Sequence, residues 1–126
     1  MRGLVVAVCF FVVMTAGTIV VQCTLEKTSD EVIVEIDKLT DSVEKGEWDS
    51  ADKTMMRLEN ELQETSRWIA MFVDHSEIDM IITCFSALRE YEIYRDIPEL
   101  MAETSTLREL IGHIPRREAL SLENIL

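Results

Sequence analysis

Charge is absent from Gly3 to Leu25, and from Leu25 onward apolar residues return every three or four positions. The two patterns predict different elements. An uncharged run of this length fits a helix in hydrocarbon, whereas apolar residues recurring at a period near 3.6 mark helices with one face buried and one in water. Leu25, Val32, Ile36, Leu39 and Val43 form the first such stripe, and Gly46 stands where a helix C-terminus belongs. Thr28 and Glu31 have the spacing of a capping box that would start this helix afresh; otherwise the apolar helix runs straight into it.

A second stripe follows at once through Trp48, Ala51, Met55, Leu58, Leu62, Thr65, Ile69 and Phe72. The short connection at Gly46 predicts an antiparallel hairpin. Asp74, with Glu77 three residues on, opens a third helix, whose apolar positions are Ile78, Ile81, Ile82, Phe85 and Leu88 and which runs to about Arg95. Asp96 repeats the device, with Pro98 in the first turn and Glu99 as the reciprocal acid, before Ile97, Leu100, Thr104, Leu107, Ile111 and Ile114. Pro115 is expected to end or kink this fourth helix, leaving Ala119, Leu122, Ile125 and Leu126 on a short final one. With no alternating strand or Gly-rich loop, the expected class is all-α: one N-terminal transmembrane helix (1–25), then an antiparallel bundle of about four amphipathic helices (26–126).

The uncharged run is 23 residues long, about 34 Å as a helix against a hydrocarbon core of about 30 Å. The apolar stretch of a cleavable signal peptide is shorter, about 7–15 residues. Cleavage near Ala16 and Gly17 would leave Ile19 to Val21 as an apolar stub, and the bulky Gln22 before Cys23 argues against lipid attachment there. The expectation is a retained, single-pass signal anchor in a bacterial cell membrane. Arg2 and the terminal amine precede it while Glu26, Lys27, Asp30 and Glu31 follow, which predicts a cytoplasmic N-terminus and an extracytoplasmic domain.

Charge narrows the choice of partners. The net charge is −12, and all 24 acids lie beyond the leader together with every Lys and Arg except Arg2. Such a domain repels nucleic acid and anionic headgroups, so bilayer contact is assigned to residues 3–25. Cys9, Cys23 and Cys84 are too scattered for a disulfide framework, a zinc knuckle or a redox pair.

The most site-like cluster is Asp74-His75-Ser76-Glu77-Ile78-Asp79, in which His75 and Asp79 are four apart on a helix, as two metal ligands would be. A helix cap built by Asp74 and Glu77 accounts for most of it. Trp48, Trp68, Met55, Met56, Met71 and Met80 suit either a core or an adaptable groove; Trp48 and Met55 lie on the helix-two stripe, while Trp68 is one position off it and is the aromatic best placed for a partner.

Trp68 with the Asp74–Asp79 run, and the C-terminal Ser121-Leu122-Glu123-Asn124-Ile125-Leu126, resemble the bacterial family catalogued as domain of unknown function 4363. The resemblance implies a short protein, mostly of Gram-positive bacteria, with an N-terminal apolar segment ahead of a helical region, and it implies no activity. Trp68, Asp74, His75, Glu77, Asp79 and Asn124 are therefore the candidate interaction or motif residues, with no catalytic, cofactor or metal residue assigned. The expected function is a non-enzymatic, membrane-anchored interaction module or accessory subunit whose protein partner is a multi-span membrane protein. The alternative is an extracytoplasmic ligand sensor or metal-dependent enzyme centred on His75 and Asp79.

Overall fold

A computed structural model describes the backbone of residues 1–125 and the side chains of residues 1–117. It contains four helices: α1 (Arg2–Glu44), α2 (Trp48–Ile69), α3 (His75–Ile93) and α4 (Ile97–Ile125). The class is all-α, with a long apolar N-terminal helix leading into a packed bundle.

α1 does not restart at Thr28. Neither Gly nor Pro occurs between Thr18 and Glu44, so nothing opens the backbone for Thr28 and Glu31 to cap, and the apolar run and the first amphipathic stripe form one continuous helix. From Leu4 to Val20 its large apolar side chains are mostly exposed, and this stretch is long and apolar enough to cross a membrane. Leu25 is the first residue taken fully into the core.

α1 and α3 end in the same way. Gly46 sits at φ 71° with its amide on the Val43 carbonyl and the Glu47 amide on the Ser42 carbonyl. At the end of α3, Arg95 takes φ 56°, its amide reaching Glu92 and the Asp96 amide reaching Tyr91. Both are Schellman closures with a left-handed residue one past the cap. The first uses glycine; the second forces an arginine into that conformation, a strain that calls for compensation. α4 then starts on Asp96, whose Oδ1 accepts from the Glu99 amide at 3.4 Å.

α1 packs on α2 on one side and α4 on the other, α4 packs on α3, and of these neighbouring pairs α2 and α3 meet the least. Ile36, Leu39, Leu58, Leu88, Leu100 and Leu107 are fully buried at the centre. The antiparallel register of α1 and α4 is marked by the Asp37–Arg108 ion pair, by Ser29 Oγ donating to the Ile111 carbonyl at 3.0 Å, and by Gln22 Nε2 donating to the Pro115 carbonyl at 2.8 Å.

The Ser29 bond accounts for a departure from the helix end expected at Pro115. α4 passes through Pro115 and continues to Ile125 rather than stopping and restarting. Proline has no N–H for the carbonyl four residues back, which here is Ile111. The buried Ser29 hydroxyl takes that orphaned acceptor from the neighbouring helix. The polar cost of the proline is thus met across the α1–α4 seam.

Candidate functional site

Because α2 and α3 stay apart, the bundle has an open side. A groove of about 350 Å³ runs between them. Leu62 and Ile69 of α2 face Ile78, Ile81, Ile82 and Phe85 of α3, and the floor is made by Leu25, Val32, Ile111 and Ile114. Hydroxyls of Thr28, Ser29, Thr65, Ser66 and Ser86 interrupt the hydrocarbon. All of this lies in the half of the bundle nearest the leader, since its α1 residues are those directly after the apolar run. Towards the far end the gap is bridged by Arg89 to Glu59 at 2.7 Å and Arg95 to Asp52 at 2.8 Å.

The apolar arc of α3 is the reason. Ile81, Cys84 and Leu88 are buried, whereas Ile78 and Phe85 are half-buried and Ile82 is exposed. An arc wider than one neighbour can cover has α4 on one side and the groove on the other. The signal was present in the sequence, but as one stripe including both Ile81 and Ile82 it read as a single buried face.

None of the predicted residues with a described side chain lines the groove, and Trp68 borders a separate recess with Thr28, Glu31, Val32 and Glu64. Asp74 caps α3, its Oδ1 accepting from the Ser76 amide at 3.2 Å. Glu77 does not reach back to complete a capping box; it is buried and paired with Arg117 of α4. His75 and Asp79 are both exposed on α3. No group of three or more His, Cys, Asp or Glu placed to hold a metal occurs among the described residues, so these two have no third ligand there. Trp68 is half-buried and meets Phe72 edge-on, with centroids 6.3 Å apart at 68°. Phe72 lies beyond α2, in the turn, and is exposed rather than closing the helix-two stripe. Asn124 falls outside the described side chains. Of the methionines, Met55 is buried while Met56, Met71 and Met80 are exposed.

Cys84 is buried and donates to a Glu103 carboxylate oxygen at 3.0 Å. Burial, reinforced by that carboxylate, pushes its thiol up to about 12, which keeps it protonated and a poor nucleophile. Glu61 is raised by burial and by the neighbouring Glu35 and Glu31.

A second polar cluster, at the far end, was not visible in the sequence. Arg95 stacks over the Trp48 ring at 4.4 Å and binds Asp52 and Glu92, the latter at 2.9 Å. Burial pushes the Glu92 carboxyl up to about 7, with Asp52 adding to the rise and Arg95 opposing it. Asp52 itself is held below the usual carboxylate range by its bond to Arg95. The cluster ties the α1–α2 turn to the α3–α4 turn, and it supplies the compensation for the strained φ of Arg95. Its partners are 43 or more positions apart for Asp52 and Trp48, beyond the reach of any local spacing rule.

An apolar N-terminal helix continuous with an open-sided, acidic four-helix bundle defines the class of architecture. Residues 19–125 match the family model described as Domain of unknown function (DUF4363), and the chain belongs to that family. No curated protein and no solved structure matches it.

Proposed function

We propose that this chain is a non-enzymatic, membrane-anchored interaction module of a bacterial cell membrane, acting as an accessory subunit of a larger membrane protein. The leader crosses the bilayer once and holds the bundle on the extracytoplasmic side, in keeping with Arg2 before the apolar run and acids after it. The groove between α2 and α3 receives the apolar face of a partner helix. The observation that carries this reading is the groove itself: Ile82 stands 52% exposed beside Leu62 and Phe85, on a side of the bundle its own helices leave open. Its position next to the leader favours a partner that is itself embedded in the membrane. The net charge of −12 favours a helix whose apolar face is flanked by Lys and Arg.

Affinity purification of the full chain from native membranes in mild detergent tests this. The wild type is expected to recover one membrane protein in fixed ratio, and Ile82→Glu, at an exposed groove position, to lose it while melting at the same temperature. Repeated recovery of a lone monomer from wild type overturns the reading.

A further inference from the structure

The turn between α2 and α3 carries more apolar surface than the bundle uses. Trp68 to Val73 are six consecutive apolar residues between Arg67 and Ser66 on one side and Asp74 on the other. Ile69 and Val73 enter the core, but Met71 is 72% and Phe72 44% exposed. Trp68 braces Phe72 edge-on from the last turn of α2.

The level of this turn is fixed by the helices. α2 has 22 residues, a descent of about 32 Å at 1.5 Å per residue. Running antiparallel to α1 from the hairpin at Gly46, that descent ends about level with Cys23. The Gln22 bond to Pro115 places α4 at the same level, and Glu77, in the first turn of α3, pairs with Arg117 just beyond it. Met71 and Phe72 therefore sit beside the last uncharged residues of the leader, and α1 is unbroken between them and the bundle.

We infer that the α2–α3 turn is a second membrane contact, in which Met71 and Phe72 enter the top of the acyl-chain layer and Trp68 lies in the headgroup zone. The inference rests on the reading that the leader spans the bilayer. Its occupant is the lipid interface: headgroup regions extend about 5–7 Å beyond the hydrocarbon on each face, and Trp concentrates there because its ring is apolar and its N–H polar. Arg67 and Asp74 at the two ends of the turn leave it without a net charge. The contact is therefore apolar rather than electrostatic, and a zwitterionic bilayer suffices.

Trp48 provides an internal reference, since it lies at the opposite end of α2, about 30 Å from Trp68. The full-length wild type and Trp68→Phe, both containing Trp48, are reconstituted into phosphatidylcholine vesicles with and without lipids brominated near the top of the acyl chain. Vesicle flotation is scored in the same samples. Wild-type emission is expected to be quenched and Trp68→Phe emission to be unchanged. A second variant carrying Met71→Asp and Phe72→Asp, both at exposed positions, is expected to float and to lose the quenching. Protein that floats but shows equal quenching, or none, in wild type and Trp68→Phe overturns the contact while sparing the anchor. Protein that fails to float overturns the anchor, and the contact with it.

Discussion

Glu92 is the residue whose environment has the clearest thermodynamic consequence. Its carboxyl is raised by burial from about 4.5 to about 7, so the folded chain holds this proton more tightly than the unfolded chain does. The stabilisation is complete below pH 4.5 and is lost as pH rises through 7. Asp52 works in the opposite sense and in another window: its depressed carboxyl favours folding above pH 3.8 and loses that effect in stronger acid. Glu92→Gln keeps a neutral, hydrogen-bonding side chain at the position. Its melting temperature is expected to match wild type near pH 4 and to exceed it at pH 8 by roughly 5 °C, the scale on which about 1 kcal/mol moves a domain of this size. Melting curves followed by circular dichroism across that range check the crossover. Nothing local in the sequence marked Glu92, because the rise comes from burial and from Asp52, which lies on another helix. Asp74 was legible as a cap for the opposite reason, since its acceptor and the amide it serves are two residues apart.

At the scale of elements, the apolar period located all four helices, the short turn at Gly46 and the caps at Asp74 and Asp96. The helix end expected at Pro115 does not occur, because the remedy for a proline in a helix lies outside that helix. The buried Ser29 hydroxyl is that remedy, and removing it leaves the Ile111 carbonyl without a donor. Ser29→Ala is expected to cost about 1–3 kcal/mol. In a Pro115→Ala background, where the helix regains its own N–H, the same substitution is expected to cost less. Urea unfolding of the four members of the cycle in detergent measures the coupling, and equal costs in both backgrounds would show that the hydroxyl does not serve the proline. The open side of the bundle was likewise hidden, since a stripe says that a face is apolar and not how many neighbours will cover it. Ile81 and Ile82 are adjacent in sequence, yet one is in the core and the other on the groove.

For the whole molecule, the proposed anchoring gives the chain a direction. A reporter enzyme active only outside the cytoplasm, fused after Leu126, is expected to be active, and moving the positive charge to the other flank with Arg2→Glu and Glu26→Lys to reduce that activity. The unbroken α1 adds a mechanical property. About 30 Å of it, from Leu25 to Glu44, stands within the bundle as a rigid extension of the apolar segment. A helix without a hinge is a lever: a tilt of about 20° in the bilayer, an ordinary value for a single span, swings the hairpin at Gly46 sideways by about 10 Å. With the chain anchored as proposed, bilayer thickness and the packing of neighbouring spans set where the far end of the bundle points.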